Sequence, residues 1–371
     1  MNTTIAPTQT KVNWTQVGLF LGLTFAFTAL ADLLALLGGG YGKTSVIPFF
    51  QLQMMMPAFF AMLLGLFVFK DSPFYFRKPM PDGKADRGRG FCYFYLAMTV
   101  VFAVAAILSA FVPSAKTLAS NLILLVLVLT VLGWIGFRLF KGREGYARAN
   151  LRTGRARDWL IYGVAFIVLM ALQAGGNALF GLGTPVDAEA LAAEAGMPMA
   201  GAQFLATMFF LVVVVNSFLA LALGFGEEYG WRTFLQDQLI RLGKVRGLFI
   251  LGLIWGAWHW PMIWMGHNYA GYPISGSLAM LGVCVPLSYL LGYVMLKTRS
   301  IWLVAFLHAV IDQANSFFML YVYKASDPVF SFWPGLYGIA IVAVITLVVL
   351  RDPIWKETPA APVIPALAPS A

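Results

Sequence analysis

The sequence predicts an all-α fold: a polytopic integral membrane helix bundle of about ten transmembrane helices, with both termini in the cytoplasm. Hydrophobic residues make up 60% of the 371 residues, and the mean hydropathy is +0.79. Charged residues make up only 11%, whereas a soluble domain has about a quarter. Apolar runs of roughly 20 residues, the length that a helix needs to cross a bilayer, recur along the chain. These observations exclude a soluble globular domain.

Each apolar run is bounded by polar or glycine- and proline-containing loops, and each is predicted to form one membrane-spanning helix. The runs cover residues 15–38, 46–69, 91–113, 118–140, 159–182, 203–226, 247–266, 277–296, 301–321 and 333–350.

The orientation follows from the basic residues, which carry the net charge of +9. They concentrate in the loops after the second, fourth, sixth, eighth and tenth runs, whereas the opposite loops contain only Lys43, Lys116 and Lys324. Loops rich in Lys and Arg stay on the cytoplasmic side. Because the basic residues alternate between loops and form no single basic face, they indicate a lipid bilayer as partner and no nucleic acid.

The N-terminus lacks the basic segment of a secretory signal peptide, so we expect the first span to remain in the mature protein. Cys92 and Cys284 lie alone in separate apolar runs. Neither a disulfide framework nor a thiolate metal site is predicted.

The long basic loop around residues 142–158 is the best internal boundary. We predict four accessory transmembrane helices in 1–158, a catalytic membrane core in 159–321, a last transmembrane helix in 322–352 and a flexible Pro/Ala-rich tail in 353–371.

A cluster of charged residues follows the sixth apolar run. Glu227 and Glu228 are followed by Arg232. On a helix, Glu228 and Arg232 lie four residues apart and can form an ion pair on one face, whereas Glu227 lies about 100° around the axis. The sequence predicts that the sixth span ends at Glu227 on the cytoplasmic side.

Two histidines lie inside later apolar runs, where a titratable side chain is expensive to place. His259 is surrounded by Trp residues, a setting equally typical of a core histidine bonded to a backbone carbonyl. His308, Asp312 and Asn315 follow one another at helical spacing on one face of the ninth run. This polar stripe indicates either the lining of a cavity or a hydrogen-bonded helix contact. Because His308 lies seven residues past Ile301, roughly 10 Å along a helix, we expect a site that opens to the cytoplasm.

Together these three segments resemble the CPBP family of intramembrane endopeptidases, which includes the type II CAAX prenyl endopeptidases and bacteriocin-processing, Abi-type immunity proteins. The family pattern is Glu-Glu-x-x-x-Arg, then Phe-x-x-x-His, then His-x-x-x-Asn or Asp, on three transmembrane helices. Residues 227–232 match the first motif, and His308 with Asp312 matches the third. The second motif departs by one residue, because Trp255 precedes His259 where the family usually has Phe. The resemblance covers about 159–321.

The resemblance implies peptide-bond hydrolysis by a water that Glu227 activates as general base, with help from His259. His308 and Asp312 would hold the oxyanion, and an ionised Asp312 would instead have to act by orienting His308. Glu228 and Arg232 would pair structurally. Implied partners are a peptide or protein substrate at the membrane and the lipid bilayer, in the bacterial cytoplasmic (inner) membrane.

Three alternatives remain open at the level of sequence. The favoured mechanism requires no cofactor. A mechanism that uses a divalent metal such as zinc is the first alternative, because a catalytic zinc site has three protein ligands and these could be His259, His308 and Glu227. Intramembrane Glu, His and Asp residues also mark proton- or cation-coupled transporters. A non-catalytic immunity or scaffold protein is the third alternative. Against a transporter, Asp32 is the only further acid inside a span.

Overall fold

The computed structural model describes residues 11–78, 87–139, 143–331 and 334–357. Nine helices in these ranges are long and apolar enough to cross a membrane, and a shorter apolar helix follows near the C-terminus. The prediction of a polytopic all-α membrane protein is therefore confirmed. The tail residues 358–371 lie outside the described ranges, whereas the first residues of the predicted tail form a short 3₁₀ turn, Pro353–Trp355.

The first predicted spans form four long helices. Asn13 caps the first of them, because its side chain accepts a hydrogen bond from the Gln16 backbone N–H. Turns of 3₁₀ helix precede the second and fourth helices. The helices are α1 Trp14–Leu37, α2 Ile47–Phe67, α3 Arg87–Phe111 and α4 Lys116–Leu139, followed by the short α5 Arg143–Arg148.

The second half of the chain contains more and shorter elements. Its helices are α6 Ala156–Leu179, α7 Ala188–Glu194, α8 Gly201–Met208, α9 Asn216–Leu219, α10 Leu221–Glu228, α11 Gln236–Leu239, α12 Lys244–Trp258, α13 Trp260–Trp264, α14 Pro273–Thr298, α15 Ile301–Phe317 and α16 Leu336–Val349. Stretches of π-helix join several of them: Phe209–Val215, Tyr229–Leu235 and Phe318–Val322. Pi-helical turns are rare in proteins overall, and those that occur are often found at functional sites.

A two-stranded antiparallel sheet, which the sequence did not predict, joins two loops on the side opposite the basic loops. β1 Gly183–Pro185 pairs with β2 Tyr323–Ala325, with Gly183 opposite Ala325. The sheet connects the loop after α6 to the end of the α15 helix.

The structure corrects the predicted end of the sixth span. The helical stretch that is long and apolar enough to cross the membrane is Gly201–Leu219, and after Ala220 a second helical run continues from Leu221 through Glu227 to Leu242. All residues from 221 to 233 are buried. Glu227 therefore lies inside the helix bundle, because the helix that carries it is enclosed by its neighbours and does not end in water.

Two glycines bring this buried run against α2. A Cβ atom at Gly226 would lie 2.4 Å from the Met54 carbonyl oxygen, and one at Gly230 would lie 2.5 Å from the Pro57 carbonyl carbon. Only glycine allows two backbones to approach this closely. The predicted accessory helices thus pack directly against the helix that carries the acidic pair.

Candidate active site

Three helical segments converge on one buried polar cluster. α10 and the π-turn after it contribute Glu227, Glu228 and Arg232, α12 contributes Trp255, and α15 contributes His308. Glu227 is 2% exposed, and Glu228 and Arg232 are fully buried. A group of ionisable side chains is stable at this depth only if its members pair with one another.

The predicted pair of Glu228 and Arg232 is present. Arg232 Nε donates to Glu228 Oε2 at 2.6 Å. The other side of the guanidinium is held by α14, because Arg232 Nη1 lies 3.3 Å from both the carbonyl oxygen and the Oγ of Ser288. Ser288 in turn donates to the Leu248 carbonyl oxygen at 2.9 Å. The ion pair therefore ties α10 to α14 and α12.

Glu228 has a second partner that the sequence spacing does not reveal. His308 Nδ1 lies 2.7 Å from Glu228 Oε1. A carboxylate paired with Arg232 accepts hydrogen bonds, so Nδ1 carries the proton. This fixes the ring orientation and presents Nε2 to the remaining acids, at 3.9 Å from Glu227 Oε1 and 3.6 Å from Asp312 Oδ2.

Trp255 binds the other carboxylate. Its Nε1 donates to Glu227 Oε2 at 2.9 Å, and the Arg232 guanidinium carbon lies 5.2 Å from the centre of its ring. A phenylalanine at this position would pack in the same place and would donate no hydrogen bond. The departure from the family pattern thus has a chemical consequence: one oxygen of Glu227 is occupied, and the other faces His308.

His259 lies at the C-cap of α12, between α12 and α13. Its Nδ1 is 2.8 Å from the Trp255 carbonyl oxygen, and its ring packs edge-on against Trp258 at 4.8 Å. Since a carbonyl oxygen only accepts, Nδ1 is the protonated nitrogen, and Nε2 is the acceptor of the neutral ring. The described hydrogen bonds of His259 thus include the backbone of its own helix and no side chain of the acidic pair.

His308 Nε2 lies near two carboxylates, those of Glu227 and Asp312. Distances of 3.9 and 3.6 Å are too long for direct hydrogen bonds, yet one water can bond to two groups at such a separation. The Asp312 side chain is 46% exposed, whereas that of His308 is 9% exposed. The cluster is therefore closed around Glu228 and open at Asp312. This open end lies one helical turn farther from Ile301 than His308 does, so it is not on the cytoplasmic end of α15 where the opening was expected.

The side chains of His259, His308 and Glu227 are not arranged as the three ligands of the zinc site that the sequence suggested. Within the described ranges, no group of three or more His, Cys, Asp or Glu side chains converges to hold a metal ion. His308 Nδ1 is bonded to Glu228, and His259 Nδ1 is bonded to a backbone carbonyl. These three residues therefore do not fit a three-ligand metal site.

The fold and the cluster define a multi-pass membrane protein with a CPBP-type motif set on three helices. Residues 201–314 match the family model described as type II CAAX prenyl endopeptidase Rce1-like. A stretch of 102 residues is 29% identical to CAAX prenyl protease 2 of Methanococcus maripaludis. That stretch covers 26% of this chain and 37% of the relative. No solved structure matches the chain.

Proposed function

We propose that the chain is an intramembrane endopeptidase that hydrolyses peptide bonds of membrane-associated or cytoplasmic-side peptides by means of a water activated by Glu227. The family match of residues 201–314 supports a peptidase, and the buried acidic cluster supports the chemistry. The basic loops support an orientation with both termini in the cytoplasm, and the membrane that we propose is the bacterial cytoplasmic membrane. The partners are a peptide or protein substrate and the surrounding lipid, without nucleic acid.

The observation that carries the proposal is the chain of contacts from Arg232 through Glu228 to His308, at 2.6 and 2.7 Å. The arginine holds the carboxylate, the carboxylate holds the imidazole, and Nε2 is thereby aimed at Glu227. Orientation of a histidine by a buried carboxylate is a recurring element of hydrolytic sites. A cluster that served only helix packing would not need a histidine nitrogen directed at a second acid.

In the proposed reaction, a water lies between Glu227 Oε1 and His308 Nε2. Glu227 takes a proton from this water while the water oxygen bonds to the peptide carbonyl carbon. His308, protonated on both nitrogens, donates from Nε2 to the oxyanion that forms. Collapse of the tetrahedral intermediate breaks the C–N bond, and Glu227 returns its proton to the leaving amine. The products are a carboxylic acid and an amine.

The remaining site residues have supporting roles in the proposal. Trp255 keeps Glu227 in position by binding Oε2. His259 offers Nε2 as an acceptor for the water or the substrate. Asp312, at the open end of the cluster, places a carboxylate 3.6 Å from His308 Nε2 and faces the incoming peptide.

The test is peptide hydrolysis by the purified, detergent-solubilised full chain against a diverse peptide library. Glu227→Gln keeps the shape of the side chain and removes the base, so we expect cleavage to fall by at least about 100-fold. A variant that folds normally and still cleaves at the wild-type rate would reject Glu227 as the base.

The same assay with and without a strong chelator separates the glutamate mechanism from a metal-dependent one. We propose a metal-independent mechanism, so cleavage should continue unchanged in the chelator. Loss of cleavage that is restored by zinc would instead show that the cluster rearranges around a metal ion.

A further inference from the structure

One polar side chain next to the proposed site is left without a partner. Asn315 lies on α15, seven residues after His308 and three after Asp312. Its Oδ1 is buried and has no hydrogen-bond partner among the described residues. By contrast, the adjacent Ser316 hydroxyl donates to the Asp312 carbonyl oxygen at 2.9 Å. The helix thus satisfies the polar side chain beside Asn315 and leaves the Asn315 oxygen unpaired.

The position of Asn315 places it in line with the proposed chemistry. At 100° per residue, His308, Asp312 and Asn315 fall within about 60° of one another around the helix axis. The side chains along this face become more exposed from His308 to Asp312. Beyond Asn315 the α-helix changes to the π-helix Phe318–Val322. Asn315 therefore lies on the same face as the open end of the cluster, one turn farther from Glu228.

An unpaired amide oxygen in a buried position is unfavourable unless a ligand or water supplies a donor. The carboxamide offers one acceptor and two donors, the complement of the N–H and C=O groups of a peptide backbone. A carboxamide therefore recognises an extended chain irrespective of its side chains.

We propose that Asn315 is a substrate-binding residue, and that its side-chain amide binds a backbone N–H of the peptide about three residues from the scissile bond. Seven residues of helix separate Asn315 from His308 by about 10 Å, and an extended peptide advances about 3.3 Å per residue. The substrate class is thus a peptide that lies extended along α15. The inference rests on the proposed function, because it places the scissile bond at Glu227 and His308.

The experiment measures kcat and KM of the purified full chain with a fluorogenic peptide selected from the library, and with versions shortened residue by residue from each end. We expect Asn315→Ala to raise KM by about 3–10-fold, the size of one neutral hydrogen bond, with little change in kcat. The effect should disappear in one truncation series, once fewer than three residues remain on that side of the scissile bond. Gln313→Ala is the matched control, because Gln313 lies on the same helix about 140° from His308 and should leave both constants unchanged.

Asn315→Leu removes the amide with a similar volume and replaces Asn315→Ala if the latter fails to fold. A KM equal to that of the wild type overturns the inference, as does a loss that is independent of substrate length. If the wild type cleaves and Glu227→Gln does not, either result rejects the role of Asn315 alone. If the well-folded wild type cleaves no peptide, the proposed function fails and this inference fails with it.

Discussion

Two buried carboxylates of this protein have very different surroundings. Glu228 in the candidate site bonds to Arg232 at 2.6 Å and to His308 at 2.7 Å. Asp32 in α1 accepts a hydrogen bond from Gln53 in α2, and within the described ranges it forms no ion pair. Asp32 Oδ2 and Gln53 Oε1 also have no hydrogen-bond partner.

The difference shows that burial of an acid does not by itself indicate chemistry. Around Glu228, charges are balanced and a histidine is oriented toward a second acid. Around Asp32, one amide meets one carboxyl group, which is the pattern of a polar helix contact. The two regions are nevertheless adjacent, because Thr28, one turn before Asp32, accepts a hydrogen bond from Trp258 at 2.9 Å.

The largest effect is expected from Glu228→Gln. The change leaves the fully buried Arg232 without a counter-charge, and breaking a buried pair in this way costs about 3–5 kcal/mol. We expect a large drop in the thermal unfolding midpoint of the purified protein in detergent, together with loss of activity.

The double variant Glu228→Gln with Arg232→Met is its control, since it removes both charges. It should recover part of the lost stability while remaining inactive. A single variant that is as stable as the wild type would show that the ion pair does not hold the helices together.

The second effect concerns α2, where the two regions meet. Gly230→Ala would place a methyl group 2.5 Å from the Pro57 carbonyl carbon, so the backbones must separate. Overpacking of this kind costs about 1–3 kcal/mol. Activity should fall as well, because α10 carries the acidic pair.

Gly22→Ala in α1 is the matched control. Nothing lies within 4 Å of the position that an added Cβ would take, so the unfolding midpoint should not decrease. Equal behaviour of the two variants would contradict the close approach of α2.

Asp32→Asn should have a small effect. Asparagine keeps the oxygen that accepts from Gln53, and its amide can donate to the unpaired Gln53 Oε1. Polar contacts between membrane helices contribute about 0.6 kcal/mol on average, so the change in unfolding free energy should not exceed this size. Peptide hydrolysis should stay within twofold of the wild type. A loss of activity comparable to that of Glu227→Gln would show that Asp32 belongs to the site.

The sequence was sufficient for the overall architecture. Length and apolarity identify membrane helices directly, because the bilayer demands both. The predicted end of the sixth span was wrong because an acidic pair usually marks water. Here Arg232 compensates Glu228 internally, so the helix continues to Leu242. The sheet of Gly183–Pro185 and Tyr323–Ala325 has strands too short to show a period of two.

Within the site, the local pair was predictable and the long-range contacts were not. Glu228 and Arg232 are four residues apart, so helical geometry alone predicts their bond. His308 and Glu228 are separated by 80 residues, and nothing in the spacing indicates which acid the histidine contacts. From the sequence, Trp255 could be expected to donate a hydrogen bond, because a buried indole N–H usually finds an acceptor. The sequence did not indicate that the acceptor is Glu227.

The smallest effect is expected at a third carboxylate, outside the membrane-spanning helices. Lys297 Nζ donates a hydrogen bond to Asp352 at 2.8 Å, and this contact is the main cause that lowers the pKa of Asp352 from its ordinary value of 3.8 to about 2. The Ile354 N–H and the Tyr293 hydroxyl also donate to the Asp352 carboxylate. Because the folded-state pKa is depressed, the stabilisation is complete above pH 4 and is lost as the pH falls toward 2. Asp352→Asn should therefore lower the unfolding midpoint slightly at pH 7, and the difference from the wild type should shrink below pH 4. A difference that grows on acidification would contradict this pairing. Unlike Glu228, Asp352 has water as an alternative partner, and that is why the loss of its ion pair should be tolerated.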